Sequence, residues 1–545
     1  MSFFSILRQP DSVWGATNDT APRFEESKQA VCPVKYDYKI ENGIGKLTVY
    51  PSGSPVKFLK LRFRGELNFV DKVYGDQWER SGLQAFVEWR SVMAHRVLPW
   101  FTYLIGDNTM ACYGVKVQPN AMCYWQVDTH GITLFLNLCC GNEGTDLQEP
   151  IVACEVVELI GNKGDDPYDV AREFSKLMCD KTVAPKQPIF GVLDWYWAYG
   201  DTSEKLILEE TDYLMKMCEG TKHKPFVIID DGWQTSRSPL SSNYINADYI
   251  GGPWDGGNEK YPDFDKLPKK INEKGAKAGV WFRSLQTTGD IPSDAVLTKS
   301  DDGVIIMDPS HPFTLKRVYE DAKRFSDWGF DLLKHDFSTI DGTGIHNLSS
   351  ENQSVTMVKP HIKFYDKTKT TATIFKNLYK AIQSGFGDKD VMGCNTFSHL
   401  TAGIHSINRV GNDNSGMAYE WTRRDGINSV LRLPTNNIFY VVDPDVATFT
   451  EKTPVKVNLK FLEMCAVTGM ATLASAIPNI LSEDELKEIN RIYKIADQGG
   501  LDYKIVNFDK NANPEEFISP DNKDYIRFDW DEPYDGTRNV VDWFE

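Results

Sequence analysis

The order of apolar and polar positions divides the chain into two parts with different periodicities. From about Lys35 to Leu159, short runs alternate apolar and polar residues, with Gly, Asn, Asp or Pro between the runs. This pattern is typical of the antiparallel strands of a β-sandwich. From Pro188 onward, short apolar runs alternate with helical stretches, which is typical of βα units and a parallel sheet. The pattern therefore predicts a β-sandwich followed by an α/β domain.

The first third contains eight strand candidates, and residues 1–25 are interpreted as irregular. Residues 166–180 have the period of a helix, with Asp165 or Asp166 as its cap, and residues 182–188 are interpreted as a linker. No catalytic group of residues is recognised in this part. The predicted strands are Lys46–Tyr50, Val56–Phe63, Gln84–Trp89, Trp100–Leu104, Met110–Val117, Met122–Val127, Ile132–Leu138 and Ile151–Leu159.

The second part contains eight further strand candidates, most of them followed by a helix, which predicts a (β/α)8 barrel. Only about ten residues separate the fifth candidate from the sixth, too few for a full crossover helix, so a shortened helix is expected there. The expected units are a sandwich (1–165), a linker helix (166–187), a barrel (188–480) and a carboxy-terminal helix with a short β-rich tail (481–545). The predicted strands are Ile189–Asp194, Pro225–Ile229, Ala276–Phe282, Leu332–Phe337, Asp390–Cys394, Ile404–Arg409, Asn437–Val442 and Met470–Ala474.

Composition narrows the classes of partner. The 545 residues carry a net charge of −17 without a long Lys/Arg run, which argues against nucleic acid and anionic membrane as partners and is compatible with a neutral substrate. The ten cysteines include no CxxC pair, which favours reduced thiols over a disulfide framework or a zinc site. With neither a signal-peptide pattern nor an 18-residue apolar run, a cytoplasmic protein is expected.

Carboxylates occur at the ends of three predicted barrel strands, as Asp230 with Asp231, as Asp336 and as Asp413. Such strand ends converge on one rim of a barrel. Lys334 and Asp336 point to the same side of their strand, where an ammonium group would keep the carboxylate ionised. Each motif alone also fits a structural role: Lys-x-Asp as a strand-end ion pair, and Asp-Asp-Gly as a turn. Together they supply the two carboxyl groups that retaining hydrolysis of a glycosidic bond requires.

Four motifs, in this order, resemble those of glycoside hydrolase clan D, families 36 and 27, over roughly residues 188–480. They are Ile228-Ile-Asp-Asp-Gly-Trp-Gln234, Lys334-His-Asp336, Arg409-Val-Gly-Asn-Asp413 and Asp443-Pro-Asp445. The clan contains α-galactosidases, α-N-acetylgalactosaminidases and raffinose-synthase-like enzymes. The Asp-Asp-Gly-Trp motif and the later Lys-x-Asp motif are fairly specific as a pair, although each is weak alone.

The resemblance implies that Asp336 is the nucleophile and Asp413 the general acid/base. Asp336 must then be ionised and Asp413 must hold a proton, so their environments must differ. Asp443-Pro-Asp445 is interpreted as structural. The segment Gly393–Leu400 departs from the family's loop after the fifth strand, which leaves the sugar's identity open. The expected substrate-binding residues are Asp230, Asp231, Lys334, Arg409, Trp195, Trp233, Trp281, Arg283, Cys394 and Asn395, with Trp233 balanced between sugar wall and packing.

These inferences predict a retaining exo-α-glycosidase that acts on an oligosaccharide or glycoside. A raffinose-synthase-like transglycosylase, an α-N-acetylgalactosaminidase and an inactive sugar-binding protein remain as alternatives, and a homo-oligomer stays open. His335 is expected to face the helices. His399 and His405 have no third ligand at suitable spacing, so neither a metal nor another cofactor is expected.

Overall fold

The computed structural model describes residues 2–19, 32–80, 96–235, 252–301, 303–345, 357–510 and 513–530, together with the backbone of 84–88. Trp89, at the end of a predicted strand, and residues 531–545 of the predicted tail lie outside the described residues. The (β/α)8 barrel, the sandwich before it and the short β-rich tail are all confirmed.

The amino-terminal part folds into two antiparallel sheets. Leu59, Leu61 and Phe63 are fully buried, while Lys60 and Arg62 between them are partly exposed, because successive side chains of a strand point to opposite faces. The first sheet has the strand order Ser12–Thr17, Val56–Arg64, Gly131–Asn137, Met122–Asp128 and Leu98–Pro99. The second has the order Lys35–Glu41, Ile44–Tyr50, Ile151–Ile160, Thr109–Val115, Phe101–Gly106, Lys72–Gly75 and Gln84–Glu88.

The prediction of an irregular start is wrong for Ser12–Thr17, which pairs antiparallel with Val56–Arg64. The six residues include Gly15 and show no clean alternation of apolar and polar positions, so the sequence alone gives little sign of a strand. Gly15 is needed because a Cβ at this position would lie 2.6 Å from Cys32 Sγ. Close packing on a neighbouring segment, rather than strand propensity, therefore explains this edge strand.

The barrel strands are parallel, and each predicted strand overlaps an observed one. The seventh is divided into Val441–Asp443, which pairs with the sixth strand, and Val446–Phe449, which pairs with the eighth. Pro444 between them has no backbone N–H to donate, and Asp445 has a φ of 70°, so the ladder is interrupted there. The other strands are, in order, Phe190–Leu193, Phe226–Ile229, Lys277–Arg283, Leu332–Asp336, Asp390–Gly393, Ile407–Arg409 and Thr472–Ala476.

Five of the described α-helices begin at side-chain caps that the sequence supplies. Ser203 accepts a bond from the Leu206 N–H, and Ser482 and Glu485 form a reciprocal capping box. The short connection between the fifth and sixth strands holds the four-residue helix Ser398–Thr401, as predicted. The remaining α-helices are Pro167–Met178, Trp195–Ala198, Glu204–Met217, Leu267–Glu273, Pro312–Trp328, Ser338–Thr343, Thr371–Phe386, Tyr419–Val430, Val455–Thr468 and Glu483–Ala496.

Two small antiparallel sheets accompany the barrel. In the tail, Trp530 is buried, donates to the Pro514 carbonyl at 2.7 Å and packs against Gly426 of the helix after the sixth strand. None of the helices in the described ranges is long and apolar enough to cross a bilayer. The small sheets consist of Gln286–Thr287, Ile305–Met307 and Val296–Lys299, and of Lys504–Ile505, Glu516–Ile518 and Tyr525–Arg527.

Gly191, in the first barrel strand, allows the second strand to approach closely. Its φ is 147°, and a Cβ there would lie 2.0 Å from the Phe226 carbonyl oxygen. We expect Gly191→Ala to destabilise the protein by about 3 kcal/mol or more, because the backbone of a central strand would have to move. Gly43→Ala is the matched control: Gly43 also has positive φ, at 75°, but its Cβ would meet open space. It should cost about 1 kcal/mol. Equal shifts of the denaturation midpoints would contradict the steric explanation.

Candidate active site

The side chains predicted to act together meet at the carboxyl end of the barrel. Asp230 follows the second strand, Asp336 ends the fourth, Arg409 ends the sixth and Asp413 follows four residues later. In the register of the third and fourth strands, Trp281 lies beside Lys334 and Arg283 beside Asp336. Because all these strands are parallel, their carboxyl ends share one rim, where barrel enzymes carry their active sites.

Asp336, at the end of the fourth strand, is 8% exposed. Its Oδ1 accepts hydrogen bonds from the Phe337 N–H at 2.7 Å and from the Asn395 side-chain amide, and its Oδ2 accepts one from Trp281 Nε1 at 3.2 Å. Burial acts to raise the pKa of Asp336, but the charges of Arg80 and Lys334 outweigh it, and the pKa lies below its ordinary value. Asp336 is therefore a carboxylate at neutral pH, as the sequence predicts.

Lys334 makes its direct ion pair with Asp230 rather than with Asp336. Its Nζ lies 2.6 Å from Asp230 Oδ2, and both side chains are 5% exposed. Burial acts to lower the pKa of Lys334, but the Asp230 charge outweighs it and holds the pKa above its ordinary value. The expected close contact of Lys334 with Asp336 is thus corrected: the ammonium group acts on Asp336 through its field, while Asp230 binds it.

Asp231, the neighbour of Asp230 in the chain, is bound by a side-chain amide rather than by an ammonium group. Its Oδ1 accepts a bond from Gln234 Nε2 at 2.5 Å. Burial raises the pKa of Asp231 to about 7, and the nearby Asp230 charge acts in the same direction. Asp231 therefore holds a proton to higher pH than an ordinary carboxyl group, and in the protonated form it can donate a hydrogen bond to a substrate hydroxyl as well as accept one.

Asp413 has the more open of the two predicted catalytic carboxyl groups, with its side chain 57% exposed. Its Oδ1 lies 2.6 Å from Arg80 Nη1 and 3.4 Å from Arg409 Nη1. Partial desolvation acts to raise the pKa of Asp413, but Arg80 and then Arg409 outweigh it and hold the pKa below its ordinary value. The expectation that Asp413 keeps a proton is therefore wrong in this structure, because a cation that the motifs do not reveal lies beside it.

That cation, Arg80, comes from the sandwich, where the sequence analysis found no catalytic group. The segment 76–80 reaches the barrel rim: Asp76 pairs with Arg432 at 2.9 Å, and Glu79 accepts a hydrogen bond from the Thr339 hydroxyl. Arg80 also lies 3.7 Å from Cys394 Sγ. No motif in the sequence marks the run Asp76-Gln-Trp-Glu-Arg80; in the structure its five residues are all buried although three are charged.

Arg409 is 2% exposed and is held by the divided seventh strand. Its Nε lies 3.0 Å from Asp443 and its Nη2 lies 2.7 Å from Asp445, on either side of Pro444. The Tyr196 hydroxyl donates to Asp445 at 2.5 Å. Asp443 and Asp445 therefore anchor the arginine, consistent with their interpretation as structural.

The remaining candidates divide into rim residues and packing residues. Arg283 forms a two-point ion pair with Asp341 at 2.9 and 2.6 Å, and its guanidinium carbon lies 4.1 Å from the centre of the Phe337 ring. Cys394 lies beside Arg80, and Asn395 donates a hydrogen bond to Asp336. Trp195 is partly exposed at the rim, and Trp281 contacts Asp336 directly.

Trp233 does not form a wall of this pocket. It is fully buried, its ring stacks on Phe264 with centroids 4.1 Å apart, and its Nε1 donates to the Trp281 carbonyl at 2.9 Å. The prediction of Trp233 as a substrate-binding residue is corrected to a packing role, because Phe264 covers one ring face and Trp254 approaches within 5.6 Å.

The histidines lie behind the rim. His335 faces the helices, as predicted, and its Nε2 lies 3.1 Å from that of His405. His399 stacks on Trp100 and bonds to the Val115 carbonyl at 2.9 Å. Across the described residues, no group of three or more His, Cys, Asp or Glu side chains is arranged to hold a metal ion.

Comparisons with known proteins find likeness in structure and not in sequence. No family model matches the chain, and no curated protein matches it. Among solved structures, an α-galactosidase of Thermus thermophilus in complex with p-nitrophenyl α-D-galactopyranoside is similar, with a TM-score of 0.59 and 14% identity over 90% of this chain and 95% of that one. A Geobacillus stearothermophilus GH36 α-galactosidase bound to raffinose gives 0.60 and 14%, over 90% of this chain and 71% of that one.

An α-galactosidase of Lactobacillus brevis is also similar, with a TM-score of 0.59 and 12% identity over 90% of this chain and 69% of that one. At these identities the likeness establishes the fold. That fold is the one that the resemblance to clan D implies.

Proposed function

We propose that this protein is a retaining exo-α-glycosidase that removes a terminal α-linked galactose-type sugar from an oligosaccharide or glycoside. The observation that carries the proposal is that a buried, hydrogen-bonded Asp336 carboxylate and an open Asp413 are both acted on by the charge of one guanidinium group, that of Arg80. Asp336 ends the fourth barrel strand and Asp413 lies four residues beyond the sixth, at the same rim. Retaining hydrolysis requires this combination of a nucleophile and a separate acid/base.

In the first step, Asp336 attacks the anomeric carbon while the bond to the leaving oxygen breaks, and Asp413 gives its proton to that oxygen. This forms a covalent glycosyl–Asp336 ester. In the second step, the Asp413 carboxylate takes a proton from water, the water oxygen attacks the anomeric carbon and Asp336 is released. Trp281 and Asn395 hold the nucleophile in place for both steps.

The sugar hydroxyls would be bound by the polar groups around the two catalytic carboxylates. Asp230, neutralised by Lys334, offers acceptors, and Asp231 offers an acceptor or a donor. Support for galactose comes from the structural neighbours, which are α-galactosidases crystallised with raffinose, stachyose or an aryl galactoside. Trp195 supplies a partly exposed aromatic face at the rim.

We further infer that the catalytic unit spans residues 188–480, with 1–165, 166–187 and 481–545 as separate units. The ten cysteines are all free, which supports a reducing compartment such as the cytoplasm.

A panel of p-nitrophenyl glycosides tests the proposal. We expect kcat/KM for the α-galactoside to exceed that for the α-glucoside by about 100-fold or more, because a pocket that hydrogen-bonds a hydroxyl discriminates strongly against its misplacement. The α-N-acetylgalactosaminide tests whether the site accepts an acetamido group at C2. The β-arabinopyranoside, which lacks the hydroxymethyl group at C5, tests whether that group is recognised. Proton NMR of the first-formed sugar should show the α anomer.

The panel would contradict the proposal if no α-glycoside released nitrophenol, or if the β anomer formed first. Repeating the reaction with an added acceptor sugar separates hydrolysis from transglycosylation, because a transferase would convert the acceptor into a longer oligosaccharide.

A further inference from the structure

Arg80 is the part of the pocket that neither the motifs nor the proposed reaction explains. It is 6% exposed, belongs to the sandwich, and places Nη1 2.6 Å from an oxygen of Asp413, although 333 residues separate the two in the chain. Its Nε is buried and has no hydrogen-bond partner among the described residues. A buried guanidinium group with an unused donor, directed at a catalytic carboxyl group, calls for a functional explanation.

The segment that carries Arg80 is fixed at several points. Asp76 pairs with the buried Arg432 at 2.9 Å, and Arg432 also donates to the Val410 carbonyl at 3.2 Å. The Trp78 carbonyl accepts from the Ser398 N–H at 3.3 Å, and Trp78 meets Trp100 edge-on with centroids 4.9 Å apart. The segment that leads to Arg80 is therefore attached to the barrel and to the sandwich, and Arg80 itself is buried rather than a surface side chain.

The other cations near Asp413 are largely neutralised by closer partners. Arg409 approaches Asp413 only at 3.4 Å and is paired with Asp443 and Asp445, and Lys334 is paired with Asp230. The ion pair of Arg80 in the described part of the chain is with Asp413 itself. The titratable and charged groups that act on Asp413 are Arg80, Arg409, Lys334, Asp336, Asp425, Asp445, Tyr196 and Tyr199.

We propose that Arg80 is a positioning residue, which fixes the Asp413 carboxyl group at the rim and controls when that group carries the proton that the leaving oxygen needs. This inference rests on the proposed glycosidase function. The ion pair of Arg80 and Asp413 favours the carboxylate form of Asp413. Asp413 then becomes the acid only in the minority of molecules that bind a proton against this charge, or once substrate has weakened the pair. The sandwich thereby contributes to the pH range of a reaction carried out on the barrel.

The test is the pH dependence of kcat/KM on raffinose, a substrate with a poor leaving group, since this quantity reports the free enzyme's acid. Arg80→Met keeps the aliphatic stem and removes the charge. Because Arg80 favours the ionised form of Asp413, its loss should raise the pKa of Asp413, and the basic limb of the profile should move to higher pH by about one unit or more. Arg80→Lys should keep the limb within a few tenths of a unit of the unmodified protein.

Arg62→Ala is the matched control, because Arg62 makes a two-point ion pair with Asp128 at 2.7 Å in the same sandwich, away from the rim. The basic limb of the pH profile of Arg62→Ala should stay where it is in the unmodified protein. If Arg80→Met loses activity equally at every pH, and the basic limb does not shift, the inference about Arg80 is wrong. That result would not contradict the proposed glycosidase function. An unmodified protein without glycosidase activity would overturn both. If Arg80→Met does not fold, Arg80→Lys alone tests the inference. A shift of about one pH unit in the basic limb of its profile would show that the charge at position 80 does not control the proton of Asp413.

Discussion

Replacing Asp336 by alanine is expected to lower kcat on p-nitrophenyl α-galactoside by about 10⁴-fold or more, the scale of loss when an activated nucleophile is removed from an enzyme. The physical reason is that no other described carboxylate receives hydrogen bonds from Trp281, Asn395 and the Phe337 N–H together. The fold should survive, with the thermal midpoint within about 5 °C of the unmodified protein. Stopped assays at high enzyme concentration measure the residual rate.

Azide distinguishes loss of a nucleophile from general damage. In Asp336→Ala the small anion can enter the vacated space and attack the anomeric carbon directly, so azide should restore turnover and give the inverted β-galactosyl azide. Asp331→Ala is the matched control, because Asp331 immediately precedes the same strand at the opposite end of the barrel. It should retain near-normal kcat. Rescue that yields the α-azide would exclude Asp336 as the nucleophile.

The second large effect is expected for Asp413→Ala, and its size should depend on the leaving group. On raffinose, whose leaving oxygen needs a proton, kcat/KM should fall by about 10²–10⁴-fold, the usual contribution of a general acid. On an aryl galactoside with an acidic phenol, the first step should slow only a few-fold, because the departing phenolate needs little protonation. The two substrates compared on one variant form an internal control.

Azide gives the opposite stereochemical result in this variant. Because Asp336 is intact, the galactosyl ester still forms, and azide replaces the water that Asp413 would have activated, which gives the α-azide. Equal losses on both substrates, or formation of the β-azide, would contradict the acid/base assignment of Asp413.

The sequence was sufficient for much of the fold because the signals were local. Each barrel strand is a short apolar run between turn residues, and the helix caps at Ser203 and Ser482 are legible within four residues. The location of the site at the rim was predicted from one general rule, that the carboxyl ends of parallel barrel strands converge. Asp230, Asp336 and Arg409 could therefore be gathered into one site from sequence positions alone.

The parts of the site that could not be predicted depend on contacts between distant segments. Arg80 reaches Asp413 from an antiparallel domain, and no strand-end rule relates the two. The partner of Lys334 depended on which of two carboxylates its flexible stem reaches, and alternation along a strand specifies only the side. Trp233 follows a strand as a wall residue would, but its ring is covered by Phe264 from a connecting segment.

The segment 76–80 also bears on how such a protein can change by exchange of domains. It touches the connections after the fourth, fifth and sixth barrel strands, through Thr339, Ser398 and Arg432. A foreign sandwich fused to this barrel would have to reproduce all three attachments as well as the guanidinium group they support. We therefore expect the sandwich and the barrel to function only as a matched pair. A chimera of unmatched domains should lose catalytic activity at a smaller structural change than the one that unfolds it.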